Sequence, residues 1–137
     1  MRSLIVAAVS IASVSPAFAA APVTGRWLTA EKDSVLEVGP CGAMICGKIA
    51  KILAATKDGK PPVDAYNPNP SLRNRPIQGL TILSGFSDAG QSWKGSIYNP
   101  RNGKSYKSFL TKLADGTLKV QGCVSFACKS FIYTPLK

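Results

Sequence analysis

Asp64, Arg73 and Arg75 are the residues whose types and spacing suit chemistry. They lie in the stretch DAYNPNPSLRNRPIQGL, residues 64–80, where Asp64 is the only acid. A carboxylate beside one guanidinium forms an ion pair. A second, unpaired arginine offers a planar fork for a carboxylate or phosphate. Pro68, Pro70 and Pro76 fix φ and push the residues before them toward extended backbone. Asn67-Pro68 and Asn69-Pro70 suit Asx-type turns. The stretch therefore reads as a built loop with low unfolded-state entropy, not a slack linker. Asp64 is expected to pair with one arginine, while Leu72 and Ile77 plug the end of the fold. Two apart in extended chain, Arg73 and Arg75 share a face, and the unpaired one is free to hold an anionic group.

Other chemistry is scarce. The chain has no histidine, which removes Ser-His and Cys-His nucleophile systems and makes zinc or haem sites improbable. The seven acids show no pairing across a cleft, and there is no glycine-rich phosphate loop. These absences weigh against an enzyme, and no cofactor or metal is implied. Four cysteines, Cys41, Cys46, Cys123 and Cys128, repeat one C-x4-C spacing.

Their redox state follows from the first twenty residues, MRSLIVAAVSIASVSPAFAA. One basic residue, an apolar run from Leu4 to Val14 and the ending Ala17-Phe18-Ala19 match a secretory signal peptide. The run is too short for a membrane span. Residues 1–19 are thus expected to be removed, leaving 20–137 as one domain, periplasmic or secreted. An even cysteine count in an exported chain argues for disulfides. Without Arg2, sixteen basic residues face seven acids, a net charge of +9. Such a protein is drawn to anionic surfaces such as lipid headgroups, lipopolysaccharide or acidic polymers, although no block of basic residues concentrates that charge.

The elements that must position these residues read as eight short strands between turn signals, at about 25–29, 34–39, 45–53, 80–86, 92–99, 104–113, 117–124 and 129–134. Asn99-Pro100-Arg101-Asn102-Gly103 and Asp115-Gly116 mark tight turns. Only Lys51 to Lys57 has a trace of helical spacing. Sequential hairpins about one core predict an all-β, eight-stranded antiparallel up-and-down barrel with one long polar loop, because closure removes exposed edges. A sandwich is the competing architecture. The cysteines test the register. If Cys123 opposes Cys128, then Val120 opposes Phe131 and Leu118 opposes Tyr133, an apolar face. If Cys41 opposes Cys46, then Val38 opposes Ile49, with Glu37 and Lys48 on the other face. A one-residue slip would scramble both patterns, so Cys41–Cys46 and Cys123–Cys128 are the expected bonds. Trp27, Trp93, Tyr98, Tyr106, Phe131 and Tyr133 mostly fall at inward-compatible positions, as core or lumen rather than an exposed stacking platform. No nucleic-acid partner is expected.

Several motifs together resemble the exported bacterial family named domain of unknown function 2147. They are Gly25-x-Trp27, Cys41-Gly42 with Cys46-Gly47, and, in the loop, Asp64, Asn67-Pro68, Leu72-Arg73, Arg75-Pro76 and Gly79-Leu80. Then come Trp93-x-Gly95-x-Ile97-Tyr98-x-Pro100-x-x-Gly103-x-x-Tyr106 and Leu118-x-Val120-x-Gly122. The resemblance implies a small lipocalin-like barrel. It also implies an Asp where this chain has Asn99, and a late arginine packed on Trp27 where this chain has Pro135.

Three functions are compatible with such a barrel. The first is an envelope binding protein whose lumen or mouth takes a small apolar or amphipathic ligand, anionic ones included, with Asp64, Arg73, Arg75, Trp93, Tyr98 and Tyr106 as candidate contacts. The second is a surface module with a filled core and a basic exterior that meets anionic envelope components or a protein. The third is an enzyme. An apolar lumen of a few hundred cubic ångströms favours the first; a perturbed Asp64 beside a cleft favours the third. Nothing in the sequence fixes an oligomeric state.

Overall fold

Apolar residues alternating with polar ones between closely spaced turns give strands with one inward face, and the strands close. The computed structural model describes residues 5–12 and 19–137. Its strands are β1 (Gly25–Leu28), β2 (Ser34–Cys41), β3 (Met44–Ile52), β4 (Thr81–Asp88), β5 (Trp93–Asn99), β6 (Lys104–Lys112), β7 (Leu118–Val124) and β8 (Ala127–Pro135). Each pairs antiparallel with the next, and β8 returns to β1 to close the barrel. That seam is the shortest: Trp27 opposes Pro135, Leu28 opposes Thr134, and the Leu136 amide donates to the Arg26 carbonyl at 2.9 Å.

The helical trace at 51–57 forms no helix. β3 runs to Ile52, and the amides of Leu53 and Ala54 both donate to the Asp33 carbonyl. Lys51 and Ile52 instead pair with Val35 and Ser34 of β2, which holds the start of that segment as extended chain. Among the described residues no helix is long and apolar enough to cross a membrane.

Register is as expected in one hairpin and shifted in the other. Leu118 opposes Tyr133, Val120 opposes Phe131 and Cys123 opposes Cys128, whose Cα atoms lie 4.0 Å apart across their disulfide. In the β2–β3 hairpin, however, Cys41 opposes Met44 and Cys46 opposes Gly39, so Leu36 rather than Val38 faces Ile49. The cause is a two-residue turn at Gly42-Ala43, with Gly42 at φ +64°. The Cys41–Cys46 bond crosses it diagonally, with Cα atoms 5.7 Å apart. The shift is two residues, so each side chain keeps its face. Glu37 still stands beside Lys48, 4.0 Å apart.

Strand direction gives the barrel two unlike ends. At one end lie the Cys41–Cys46 hairpin, the β4–β5 and β6–β7 turns, and the N-terminal segment. Trp27, Leu36, Val38, Phe86, Leu110 and Leu118 fill the interior there. Ala20 and Val23 are buried against them, Trp27 Nε1 donates to the Val23 carbonyl at 3.0 Å, and Trp93 Nε1 donates to the Ala21 carbonyl at 2.9 Å. Pro135 brings no cation to Trp27. Lys112 at the end of β6 does so instead, with Nζ 5.7 Å from the ring centroid. Of the expected signal peptide, residues 1–4 and 13–18 lie outside the described residues. Residues 5–12 have no regular structure, and Ile5, Val6, Val9 and Ile11 are 84 to 92% exposed.

Candidate functional site: an apolar cup behind a polar rim

At the other end the barrel is hollow. The β1–β2 loop, residues 53–80, the β5–β6 turn and the tip of β7–β8 surround a cavity of about 630 Å³. Its wall is Ile49, Ile52, Ile77, Ile82, Ile97, Val120 and Phe131. Phe131 is 37% exposed although it sits on the inner face, because that face opens onto the cup. Gly122 helps make the space. It stands between Ser108 and Lys129, and the nearest atom to a Cβ placed there would be Ile97 Cγ2 at 3.9 Å.

The long loop frames one side of this cup. Its arms pair as a short ladder: the Asp64 amide donates to the Arg75 carbonyl at 2.9 Å and the Ile77 amide to the Pro62 carbonyl at 3.0 Å. Between them Pro70–Leu72 form a single 3-10 turn, capped by the Asn69 side chain, which accepts from the Ser71 amide. Beyond it Arg73 keeps helical backbone and the Arg75 amide donates to the Leu72 carbonyl at 3.2 Å, so the chain is not extended there and the two arginines part. Arg75 Nε donates to Asp64 Oδ2 at 2.8 Å, whereas Arg73 Nε donates to the Asn67 carbonyl at 2.8 Å. Ile77 joins the core, while Leu72 is half-buried and outside it.

Asp64 is fully buried. Besides Arg75, it accepts from Tyr98 Oη at 2.5 Å and from Asn67 Nδ2 at 2.9 Å. Burial alone would raise its carboxyl, but these three donors and the Arg75 charge hold it below the usual carboxylate range. Burial and the same carboxylate push Tyr98 up. An ionised, fully bonded carboxylate is suited to anchoring the loop on β5 rather than to moving protons. The β5–β6 turn docks on the loop as well: a Cβ at Gly103, φ +72°, would overlap the Tyr66 carbonyl, so only glycine fits there.

The rim carries the remaining charge. Arg101 Nη2 reaches Glu31 Oε2 at 2.5 Å and Asp33 Oδ2 at 2.6 Å, linking the β5–β6 turn to the β1–β2 loop. Bonding to Glu31 raises the Arg101 pKa. Burial opposes it, but Thr29 and Ser34 hydroxyls with the Arg101 charge keep Asp33 low. Tyr133, facing the cup, is pushed up to about 12 by burial and the Asp33 charge. Lys129 also lines the cup; it makes no ion pair among the described residues, and its Nζ stands 5.4 Å from the Phe131 ring centroid.

Of the six candidate contacts read from the sequence, Tyr98 and Tyr106 line the cup. Asp64 and Arg75 stand behind Tyr98, Arg73 is bonded to the Asn67 carbonyl and does not line the cup, and Trp93 packs at the closed end. Arg101, Lys129 and Tyr133 were not among them. Lys129 had a readable signal: it shares its parity with Phe131 and Tyr133 and so projects from the inner face.

A family model described as an uncharacterized protein conserved in bacteria, DUF2147, matches residues 25–134, from the first strand to the last. The chain belongs to the DUF2147 family. The match takes in the barrel, the loop and every residue of the cup. The DUF2147 barrel is also similar to a solved Helicobacter pylori protein described as belonging to the lipocalin family. The two are 27% identical, with a TM-score of 0.73, and the likeness covers 85% of this chain and 84% of the other. No curated protein matches the chain.

Proposed function

We propose that this DUF2147 barrel is an exported binding protein for a small amphipathic ligand with an apolar body and an anionic head. The cup carries this reading. Its volume lies in the range of small-molecule sites, its wall is apolar, and Lys129 brings a cation without a carboxylate partner to its side. A core filled to the rim would have favoured a surface module instead. The lipocalin-family likeness points the same way, and the two disulfides suit an oxidising compartment. In this reading Phe131 and the isoleucines take the body, Lys129 takes the head, and Tyr98 and Tyr106 border the entrance.

Anilinonaphthalene sulfonate, an aromatic body with an anionic head, is a direct probe. Lys129→Gln is expected to weaken its binding about tenfold, the loss of one charge-assisted contact, with the thermal midpoint unchanged. Equal affinity of parent and variant would remove Lys129 from the site. A second expectation concerns alkali. Tyr133 titrates higher folded than unfolded, so its contribution to stability is complete below about pH 10. It should fade as the pH rises toward 12. Following tyrosinate absorbance and unfolding together checks this: Tyr133→Phe should lose that part of the alkaline limb.

A further inference from the structure

The closed end holds a contact that the ligand reading does not use. The Ala20 backbone nitrogen lies 3.1 Å from Asp88 Oδ1 and 3.1 Å from Asp88 Oδ2. Ala20 is 7% exposed, whereas Ala19 is exposed. Asp88 is itself fixed, since Oδ1 also accepts from the Gly90 amide at 2.8 Å in the β4–β5 turn. The residues that follow are equally seated, through the Ala21 and Val23 carbonyls that accept from Trp93 and Trp27. A backbone amide has one hydrogen and can only share it between the two oxygens as a bifurcated bond. An ammonium group has three and can give one to each. The sequence places the small residues Ala17 and Ala19 just before this nitrogen, at the spacing a leader-cleaving endopeptidase reads.

We infer that Ala19–Ala20 is a processing site and that Asp88 is the receptor for the α-ammonium group that processing creates. Water adds across the Ala19–Ala20 peptide bond. Ala19 leaves as a carboxylate on the leader, and Ala20 gains an amine, which takes up a proton near neutral pH. The endopeptidase acts during export, before the barrel closes. On folding, the new ammonium meets both oxygens of Asp88, and residues 20–23 seal the closed end. The contact thereby changes from an amide–carboxylate hydrogen bond to an ammonium–carboxylate ion pair with a hydrogen for each oxygen. A cut one residue later would remove the nitrogen that Asp88 holds, and a cut one residue earlier would leave it an amide. The inference is independent of what the cup carries.

Two measurements on the full chain test it. The protein recovered from its own envelope should have an intact mass that begins at Ala20. Thermal unfolding is then compared for the exported, processed protein and for the unprocessed chain oxidised in vitro, each with Asp88 and with Asp88→Asn. Asparagine keeps an oxygen for the Gly90 amide, so the turn is retained. The substitution should lower the midpoint of the processed form by about 4 °C, and that of the unprocessed form by less than half as much. A native N-terminus other than Ala20, or equal shifts in the two forms, would overturn the inference.

Discussion

Gly122→Phe should abolish binding of anilinonaphthalene sulfonate, by at least about 100-fold, and leave the barrel folded. The position lies on β7 facing the cup, and its φ is outside the left-handed region, so a side chain is tolerated there. The first atom it meets is Ile97 Cγ2 at ordinary contact distance, and beyond that lies the hollow. A benzyl group fills space that a ligand needs, and burying the ring adds roughly 1 kcal/mol or more of favourable transfer. Phenylalanine also suits a strand better than glycine does. The thermal midpoint should therefore hold or rise while binding disappears. Destabilisation alone cannot produce that combination. Fluorescence titration and calorimetry on the same preparation check it. Unimpaired probe binding would place the site elsewhere.

Asp64→Asn should destabilise the fold by about 3 kcal/mol, roughly a 10 °C fall in midpoint for a domain of this size. The variant turns an acceptor-only carboxylate into an amide. Its NH2 must then face at least one of three donors, from Tyr98, Asn67 and Arg75, and an orphaned buried donor is costly. Arg75 loses its counter-charge, although its side chain is 37% exposed and water relieves part of that loss. The pH dependence has a definite sign. Folded Asp64 titrates below its unfolded value of about 4, so its stabilisation is complete above that pH and fades as the pH falls through the folded pKa. The gap between parent and variant, measured by urea unfolding, should narrow as the pH falls below about 4. A constant gap from pH 7 to pH 2 would show that the ionised form is not what matters.

Alternation made β7 and β8 legible in the sequence. Val120 and Phe131, and Leu118 and Tyr133, could face each other in only one register that also joined the cysteines. The same reasoning placed β2 and β3 on the right faces but two residues out of register, because a shift of two leaves the pattern intact. Only the turn at Gly42-Ala43 distinguishes the two. Asp64 and an arginine were a readable pair, as the loop held one acid. Tyr98, which donates the shortest of its bonds, lies 34 residues away in sequence and is brought near only by closure of the barrel. The Lys112 brace over Trp27 has the same origin. The hollow was not legible: inward aromatics fill a core or line a cup with one and the same pattern. What decides is how far the chain ends and loops reach into the barrel, and here residues 20–23 enter one end while the long loop only borders the other.

The central claim is that the cup carries a small molecule. Native mass spectrometry of the protein purified without denaturant from its own cells and medium tests it most directly. The expected spectrum shows the oxidised chain with a noncovalent adduct of a few hundred daltons, the size that such a cavity encloses. The adduct should be lost on unfolding and absent from Gly122→Phe prepared in parallel. A bare chain in the parent preparation, together with no binding of anilinonaphthalene sulfonate, would contradict the claim.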